Sequence, residues 1–140
     1  MYTELLSIES LSQLQPNRYV LKCCTMKIIT KDNPISIEEL KEMANLLNNL
    51  VKAVVDVEKE IMAVDAELHS DEEETLIKKG SKQENLWGIN LYPKEAKENF
   101  IEFDSMINLK PSWGNLSRGI DSPSIREKIK EIVNKLVKNG

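Results

Sequence analysis

The spacing of apolar residues changes abruptly after residue 50, and this change limits the folds open to the chain. Residues 37–50 carry apolar side chains three or four positions apart, which predicts an amphipathic helix. Residues 51–57 carry them two positions apart, which predicts a half-buried strand. A domain that follows a helix directly with an alternating strand combines both element types around one core.

The same reading predicts the remaining elements. Further strands are expected at Met26–Thr30, 61–67, 85–92 and 100–109, and further helices at 71–79 and from Pro123 onward. The resulting order is β-α-β-β-α-β-β-α. Short connections between neighbouring strands favour a mostly antiparallel sheet, so we predict an α+β fold with the helices packed on one face of that sheet.

Helix boundary signals support these assignments. Ser36 with Glu39 forms a capping-box pattern, and Ser122 precedes a proline at the first position of the last helix. Ser70 is the expected N-cap of the middle helix, which carries acids in its first turn and ends before Gly80.

The first 25 of the 140 residues differ from the rest. They contain both cysteines and a Pro16-Asn17 break, whereas Met26 opens the first regular strand pattern. We therefore predict one α+β domain over 26–140, preceded by an extension over 1–25 that is disordered or reflects an upstream translation start. The domain is long enough to bury a core without disulfides.

Charge is distributed unevenly along the chain. Residues 54–75 hold nine acids and one lysine, whereas residues 105–140 hold seven basic residues and three acids, within a net charge of −4. The acidic middle argues against non-specific duplex binding over the whole surface. The basic C-terminal third leaves nucleic-acid binding as an alternative, although solvated helix faces explain such charges equally well.

The cysteines indicate a cellular location, and the lack of known motifs limits the functional classes that the sequence suggests. Cys23 and Cys24 are adjacent and poorly placed to pair with each other, which favours a reducing compartment and a cytoplasmic location. No apolar run approaches the length of a membrane span, and the sequence predicts no cofactor. The patterns of phosphate-binding loops, serine hydrolases and multi-histidine zinc enzymes are absent.

The segment 109–124 contains the ingredients of an anion or ligand site. Basic, polar and aromatic side chains lie between two glycines and a helix N-terminus, namely Lys110, Trp113, Asn115, Ser117 and Arg118. Trp113 suits stacking on a base or a peptide. The alternative is structural: a loop of this length needs its own packing, and Trp113 could simply cover the edge of the core.

A second candidate site surrounds the only histidine. An extended segment would place Glu67 and His69 on the same face, and Glu102 with Asp104 would add carboxylates from the last strand. Carboxylate and imidazole groups suit a divalent metal in a hydrolase or nuclease. The alternative is that a single histidine at a strand-to-helix junction only forms local hydrogen bonds. No catalytic residue is assigned.

Three segments together carry a family resemblance: VVDVEKEIMAVDAELHSDEE, GSKQENLWGINLYP and IEFDSMINLKPSWGNLSRGI. From Met26 to the C-terminus the chain resembles a family of small prokaryotic proteins of unknown function. The resemblance implies a domain start at Met26 and a prokaryotic cytoplasmic setting. It implies no activity and no functional residues.

These observations favour a small noncatalytic binding or interaction domain of unknown function. Its expected contact surface combines the 110–122 loop with the solvated face of the sheet, and its expected partner is a protein or an anionic ligand. The metal-dependent hydrolase and the nucleic-acid-binding protein remain alternatives. Homodimerisation through the last helix is a further alternative that no sequence feature supports.

Overall fold

The structure, a computed structural model, describes residues 26–139, so the predicted extension over 1–25 lies outside the described residues. The three α-helices are α1 (Ile37–Ala44), α2 (His69–Lys78) and α3 (Pro123–Leu136). The strands are β1 (Lys27–Ile29), β2 (Ile35–Ser36), β3 (Val51–Asp56), β4 (Ile61–Val64), β5 (Leu86–Leu91), β6 (Ile101–Glu102) and β7 (Val137–Lys138). None of the helices between residues 26 and 139 has the length and apolar character needed to span a bilayer.

Five strands form one antiparallel sheet in the order β1-β4-β3-β5-β6. The predicted hairpin is β3–β4, and β5 pairs along the whole of β3. The predicted α+β class and antiparallel sheet are confirmed, and the order of the main elements matches the prediction. Two short strands that were not predicted, β2 and β7, pair in parallel and join the start of α1 to the end of α3.

Helices cover both faces of the sheet, rather than the single face that the sequence suggested. One face carries the larger core, in which side chains of α1 and α3 such as Leu40 and Ile129 pack on alternate residues of β3 to β5. The opposite face carries a smaller cluster of Val54, Ala63, Leu76 and Leu86, in which Leu76 belongs to α2. The alternation of side chains along a strand makes the two clusters face opposite ways.

The β3–β4 hairpin turns without glycine because Asp56 organises it. One carboxylate oxygen of Asp56 accepts hydrogen bonds from the amides of Glu58 and Lys59, each at 2.9 Å. The other oxygen accepts from the hydroxyl of Ser81 at 2.6 Å. Glu60 takes the left-handed conformation, with φ of 59°, that glycine or asparagine usually supplies.

The caps of the first and last helices are as predicted. The Ser36 hydroxyl accepts from the Glu39 amide at 3.0 Å, and the Ser122 hydroxyl accepts from the Ile125 amide at 3.3 Å. The helix predicted over 37–50 ends earlier, at Ala44. Asn48 and Asn49 have φ of 52° and 67°, a conformation that asparagine tolerates and that stops a helix.

The strand predicted over 61–67 ends at Val64, and α2 begins at His69 rather than at residue 71. Asp65 has φ of 74°, which turns the backbone out of the strand. The N-cap position is Leu68, which offers no side-chain hydrogen bond, so Ser70 is not the cap that the sequence suggested. The helix N-terminus therefore remains open to other groups.

The strand predicted over 100–109 is mostly not a strand. Only Ile101–Glu102 pairs with β5. The Ser105 hydroxyl then accepts from the Ile107 amide at 3.2 Å and opens a 3-10 turn over Met106–Asn108. Apolar residues do alternate along this segment. Beyond Glu102, however, side-chain hydrogen bonds to the backbone take the place of strand pairing with β5.

Candidate functional site

A cleft of about 290 Å³ opens on the face of the sheet that α2 covers only in part. We call it the Lys52 cleft. Strands, the start of α2 and the segment after β6 supply its lining: Lys52, Leu68, His69, Ser70, Asn90, Asp104, Ser105, Met106, Ile107 and Arg118. The lining therefore includes residues of the sheet face, Arg118 of the loop and the N-terminus of α2.

The floor of the cleft is a cross-strand pair. Lys52 of β3 and Asn90 of β5 lie directly opposite each other in the antiparallel register, so their side chains share a face. The Asn90 amide nitrogen donates to a Glu102 carboxylate oxygen at 2.9 Å and to the Asp104 carbonyl at 3.4 Å. The Asn90 side-chain oxygen has no partner among residues 26–139, although the residue is only 6% exposed.

His69 forms one side of the cleft and is buried. Its Nε2 lies 2.7 Å from the carbonyl oxygen of Ile89. Because a carbonyl only accepts, Nε2 carries the proton and Nδ1 is the acceptor of the neutral ring. Burial, and to a lesser degree the positive charge of Lys52, lowers the pKa of His69 below 6.5. The ring is therefore neutral at neutral pH.

The start of α2 presents backbone donors beside this histidine. The helix has no side-chain cap, and the Asp71 amide already donates to the Leu68 carbonyl at 3.2 Å. The amides of His69 and Ser70 have no acceptor in the part of the chain that the structure describes. Unpaired amides at a helix N-terminus, together with the helix dipole, favour a bound negative charge.

The wall opposite α2 is held by an ion pair. The Arg118 Nε donates to the Asp104 carboxylate at 2.8 Å, with the arginine side chain about half exposed at 54%. The backbone of Arg118 is fixed from behind, because its carbonyl accepts from the Ser105 amide at 3.0 Å and from the Asn108 side chain at 2.9 Å. The backbone of Arg118 is therefore fixed beside the cleft. The guanidinium N–H groups that do not contact Asp104 can donate to a ligand.

Glu72, one turn into α2, is fully buried at 0% exposure. One of its carboxyl oxygens accepts from the Ala66 amide at 3.0 Å, and the other has no partner among the described residues. Burial raises the pKa of Glu72 well above its ordinary value of 4.5. Burial therefore favours the uncharged form of the side chain, which would not oppose an anion at the helix N-terminus.

Glu72→Gln is expected to remove a pH-dependent loss of stability. The folded protein holds the Glu72 proton to higher pH than the unfolded chain does. The protein is therefore most stable, with respect to this group, below about pH 4.5, and loses up to about 1.4 kcal/mol per pH unit as the pH rises toward the folded pKa. Urea unfolding between pH 4 and 8 measures this slope.

The control for this prediction is Glu74→Gln, which changes an exposed carboxylate on the same helix. We expect the free energy of unfolding of Glu74→Gln to follow the wild-type pH profile, while that of Glu72→Gln falls less steeply. Parallel profiles for wild type and Glu72→Gln would show that Glu72 is ionised in the folded protein.

Two of the five loop residues predicted to bind a ligand belong to an aromatic cluster. Lys110 is buried, and its Nζ donates to the Gln83 carbonyl at 3.0 Å. The same Nζ lies 5.2 Å from the ring centre of Trp87 and 5.8 Å from that of Trp113. Trp113 is 53% exposed and does not line the Lys52 cleft. The Lys110 ammonium group is thus engaged by its own chain, whereas the Trp113 side chain lies on the surface.

Two more of the predicted loop residues shape the loop itself. The buried Asn115 donates from its side chain to three carbonyls, those of Asn108, Ser117 and Gly119, at 2.8 to 3.1 Å. Its side-chain oxygen accepts from the Asp121 amide at 2.7 Å. The Ser117 hydroxyl donates to the Asp121 carboxylate at 2.7 Å. Of the five predicted loop residues, only Arg118 lines the cleft.

Two of the four residues of the predicted metal site line the Lys52 cleft, and two do not. His69 and Asp104 line the Lys52 cleft. Glu102 instead accepts from Asn90 and from the Tyr92 hydroxyl, both at 2.9 Å, and Glu67 is exposed. Within residues 26–139, no three His, Cys, Asp or Glu side chains are grouped so that they could hold a metal ion.

The basic residues of α3 have internal partners. Lys128 and Lys135 both pair with Glu60, at 2.6 and 3.0 Å, and together they lower its pKa to about 2. Lys130 pairs with Glu127 at 3.3 Å. Arg126 donates to the Ile120 carbonyl. These contacts reduce the positive charge that α3 can offer to a nucleic acid. The apolar stripe of α3 lies in the core and is therefore not available as a dimer surface.

Sequence reasoning missed Lys52, Asn90 and Glu72. Lys52 and Asn90 are isolated polar residues in apolar strands, but their pairing depends on a strand register that spacing alone does not determine. Glu72 sits among acids in a first helical turn, where the helix dipole was a sufficient reason for its charge. Its burial follows only from the packing of α2 on the sheet.

Comparison with known proteins places the chain in a family. Residues 27–136 match the family described as "Protein of unknown function (DUF5674)", and the chain belongs to that family. No curated protein and no solved structure matches the chain. The fold and the Lys52 cleft are therefore the basis for a functional proposal.

Proposed function

We propose that the protein is a binding domain for a small anion, which occupies the Lys52 cleft. One observation carries this proposal: the cations Lys52 and Arg118 line the same cleft as His69 and Ser70, whose backbone amides have no acceptor among the described residues. A single carboxylate, Asp104, opposes them in the lining, and it is already paired with Arg118. Charge-assisted hydrogen bonds from such donors favour a phosphate or a carboxylate.

The dimensions of the cleft favour a small ligand. Its volume of about 290 Å³ is just below the range of roughly 300–1,000 Å³ for ligand clefts. Two exposed apolar side chains, Leu68 and Met106, also line it and could cover a bound molecule. We also propose a cytoplasmic location, which the adjacent cysteines lead us to expect.

Lys52→Met is expected to weaken the binding of inorganic phosphate about tenfold, because a hydrogen bond to a charged group is lost. Methionine keeps most of the length of the lysine stem, so the floor of the cleft stays filled. Arg118→Met should weaken binding less, since Asp104 already engages the guanidinium. A thermal-shift titration with phosphate at constant ionic strength measures both effects, because a ligand of the native state raises its stability.

The matched control is Lys82→Met, which removes an exposed lysine that does not line the cleft. It changes the net charge by the same amount and should leave the phosphate titration unchanged. An equal loss of response in Lys52→Met and Lys82→Met would mean that phosphate acts through net charge, and the proposal would fail. A wild-type protein that shows no response to any small anion would also contradict it.

A protein partner at the 110–122 loop is the second candidate function. The observation that favours it is the exposure of large apolar side chains on this loop, Trp113 at 53% and Leu116 at 73%. Because Trp113 does not line the Lys52 cleft, Trp113→Ala should leave the phosphate titration unchanged. The two candidate functions therefore use separable residues.

A further inference from the structure

The hydrogen bonds of the Asn90 side chain indicate a more specific ligand than an anion alone. Its amide nitrogen is directed toward the edge strand β6 and the segment after it, where it donates to Glu102 and to the Asp104 carbonyl. The oxygen of the same planar amide is the atom left without a partner among the described residues, and Lys52 of β3 is the cross-strand neighbour of Asn90 on the side away from β6. The two donor bonds also fix which amide atom is oxygen and which is nitrogen.

This oxygen is a buried acceptor without a donor in the described part of the chain, in a residue that is 6% exposed. Leaving a buried polar group unpaired costs free energy, so such groups in native proteins nearly always have a partner. A ligand in the Lys52 cleft that donated to Asn90 would remove this cost on binding. The cleft would then bind that ligand better than an anion without a donor.

The charge of Lys52 restricts the kind of donor. An ammonium group placed against the Asn90 oxygen would stand beside the lysine cation and be repelled by it, whereas a hydroxyl group carries no such cost. His69 lines the cleft as a neutral ring and adds no second cation, which also suits a neutral polar group.

We propose that the ligand class of the Lys52 cleft is small hydroxylated anions, such as hydroxy acids or hydroxylated phosphate esters. The Asn90 oxygen accepts from the ligand hydroxyl, while Lys52, Arg118 and the N-terminal amides of α2 bind the anionic group. This inference rests on the proposed anion-binding function, and it adds the recognition of the hydroxyl group.

The test compares pairs of ligands that differ by one hydroxyl, using the full chain. Glycolate is compared with acetate, and 2-hydroxyethyl phosphate with ethyl phosphate, in thermal-shift titrations at constant ionic strength. We expect the hydroxylated member of at least one pair to bind about 5- to 10-fold more tightly, as one added hydrogen bond to a buried acceptor allows. The pair that responds shows whether the anionic group is a carboxylate or a phosphate.

Asn90→Leu extends the test to the residue. This variant should bind the hydroxylated and the plain anion of the responding pair with equal affinity, because the acceptor of the ligand hydroxyl is removed. Since the ligand pairs are first compared on the wild-type protein, the test does not depend on the folding of the variant.

The outcomes separate this inference from the proposed function. If both members of each pair bind the wild-type protein equally, hydroxyl recognition is wrong and anion binding stands. If none of the four ligands binds, both proposals are wrong. If the wild-type protein discriminates and a folded Asn90→Leu keeps the same ratio, the hydroxyl is recognised elsewhere and Asn90 has no role in it.

Discussion

Asn108→Ala is expected to lower the free energy of unfolding by roughly 3–5 kcal/mol, because it leaves several buried backbone groups unpaired. Asn108 is fully buried at 0% exposure. Its side-chain oxygen accepts from the Gly88 amide at 2.8 Å, and its side-chain nitrogen donates to the Gly88 carbonyl at 3.0 Å and to the Arg118 carbonyl at 2.9 Å. The asparagine thus takes the place of a strand beside β5 at Gly88.

Denaturant unfolding of the purified variant measures this effect, and Asn99→Ala is the control. Asn99 is exposed and ends a 3-10 turn, so its replacement should change stability by less than about 0.5 kcal/mol. A loss below about 1 kcal/mol for Asn108→Ala would mean that water replaces the side chain at little cost. In that case the hydrogen bonds of Asn108 do not hold the wall of the cleft.

Gly88→Ala is expected to cost about 3 kcal/mol or to prevent folding, because the added methyl group has no room. A Cβ atom on Gly88 would lie 2.6 Å from both Cβ and Oγ of Ser105, and 3.2 Å from a side-chain carbon of Ile107. Ser105 cannot move away easily, because its amide donates to the Arg118 carbonyl and its hydroxyl accepts from the Ile107 amide.

Gly119→Ala is the matched control for this substitution. A Cβ atom on Gly119 would come no closer than 3.4 Å to its nearest neighbour, the carbonyl oxygen of Phe103, so the variant should keep nearly wild-type stability. Thermal unfolding of the two variants side by side measures the difference. Equal melting temperatures for Gly88→Ala and Gly119→Ala would contradict the close approach of the 105–107 segment to β5.

Both substitutions act on the support of the Lys52 cleft. Asn108 and Gly88 hold the turn over Met106–Asn108 against β5, and the same contacts fix the backbone carbonyl of Arg118. We therefore expect any variant that loosens this turn to weaken anion binding as well as stability. The rigid placement of binding groups depends on such supporting hydrogen bonds.

The regular elements were predictable because local signals agreed with one another. Ser36 and Ser122 cap helices as expected, and alternation after residue 51 produced the β3–β4 hairpin. The α+β class followed from these elements. The segment after β6 was not predictable in this way, because the alternation over 100–109 fits a strand as well as it fits a turn supported by Ser105 and Asn108.

The candidate site was predictable only in part. Arg118, His69 and Asp104 were each selected from the sequence, but for two separate sites, and the structure brings all three to one cleft. The partners Lys52 and Asn90 come from strands whose register the sequence leaves open. Lys110 and Asn115 have side chains that suit a ligand, and only tertiary packing shows that they bind their own chain.

Anion binding at the Lys52 cleft can be followed residue by residue in an NMR titration. Amide ¹H–¹⁵N signals of the full chain are followed while inorganic phosphate is added at constant ionic strength. We expect the largest shifts for the His69 and Ser70 amides, whose N–H groups have no acceptor among the described residues. Unmoved His69 and Ser70 signals, with shifts confined to the lysines of α3 or absent altogether, would contradict anion binding at this cleft.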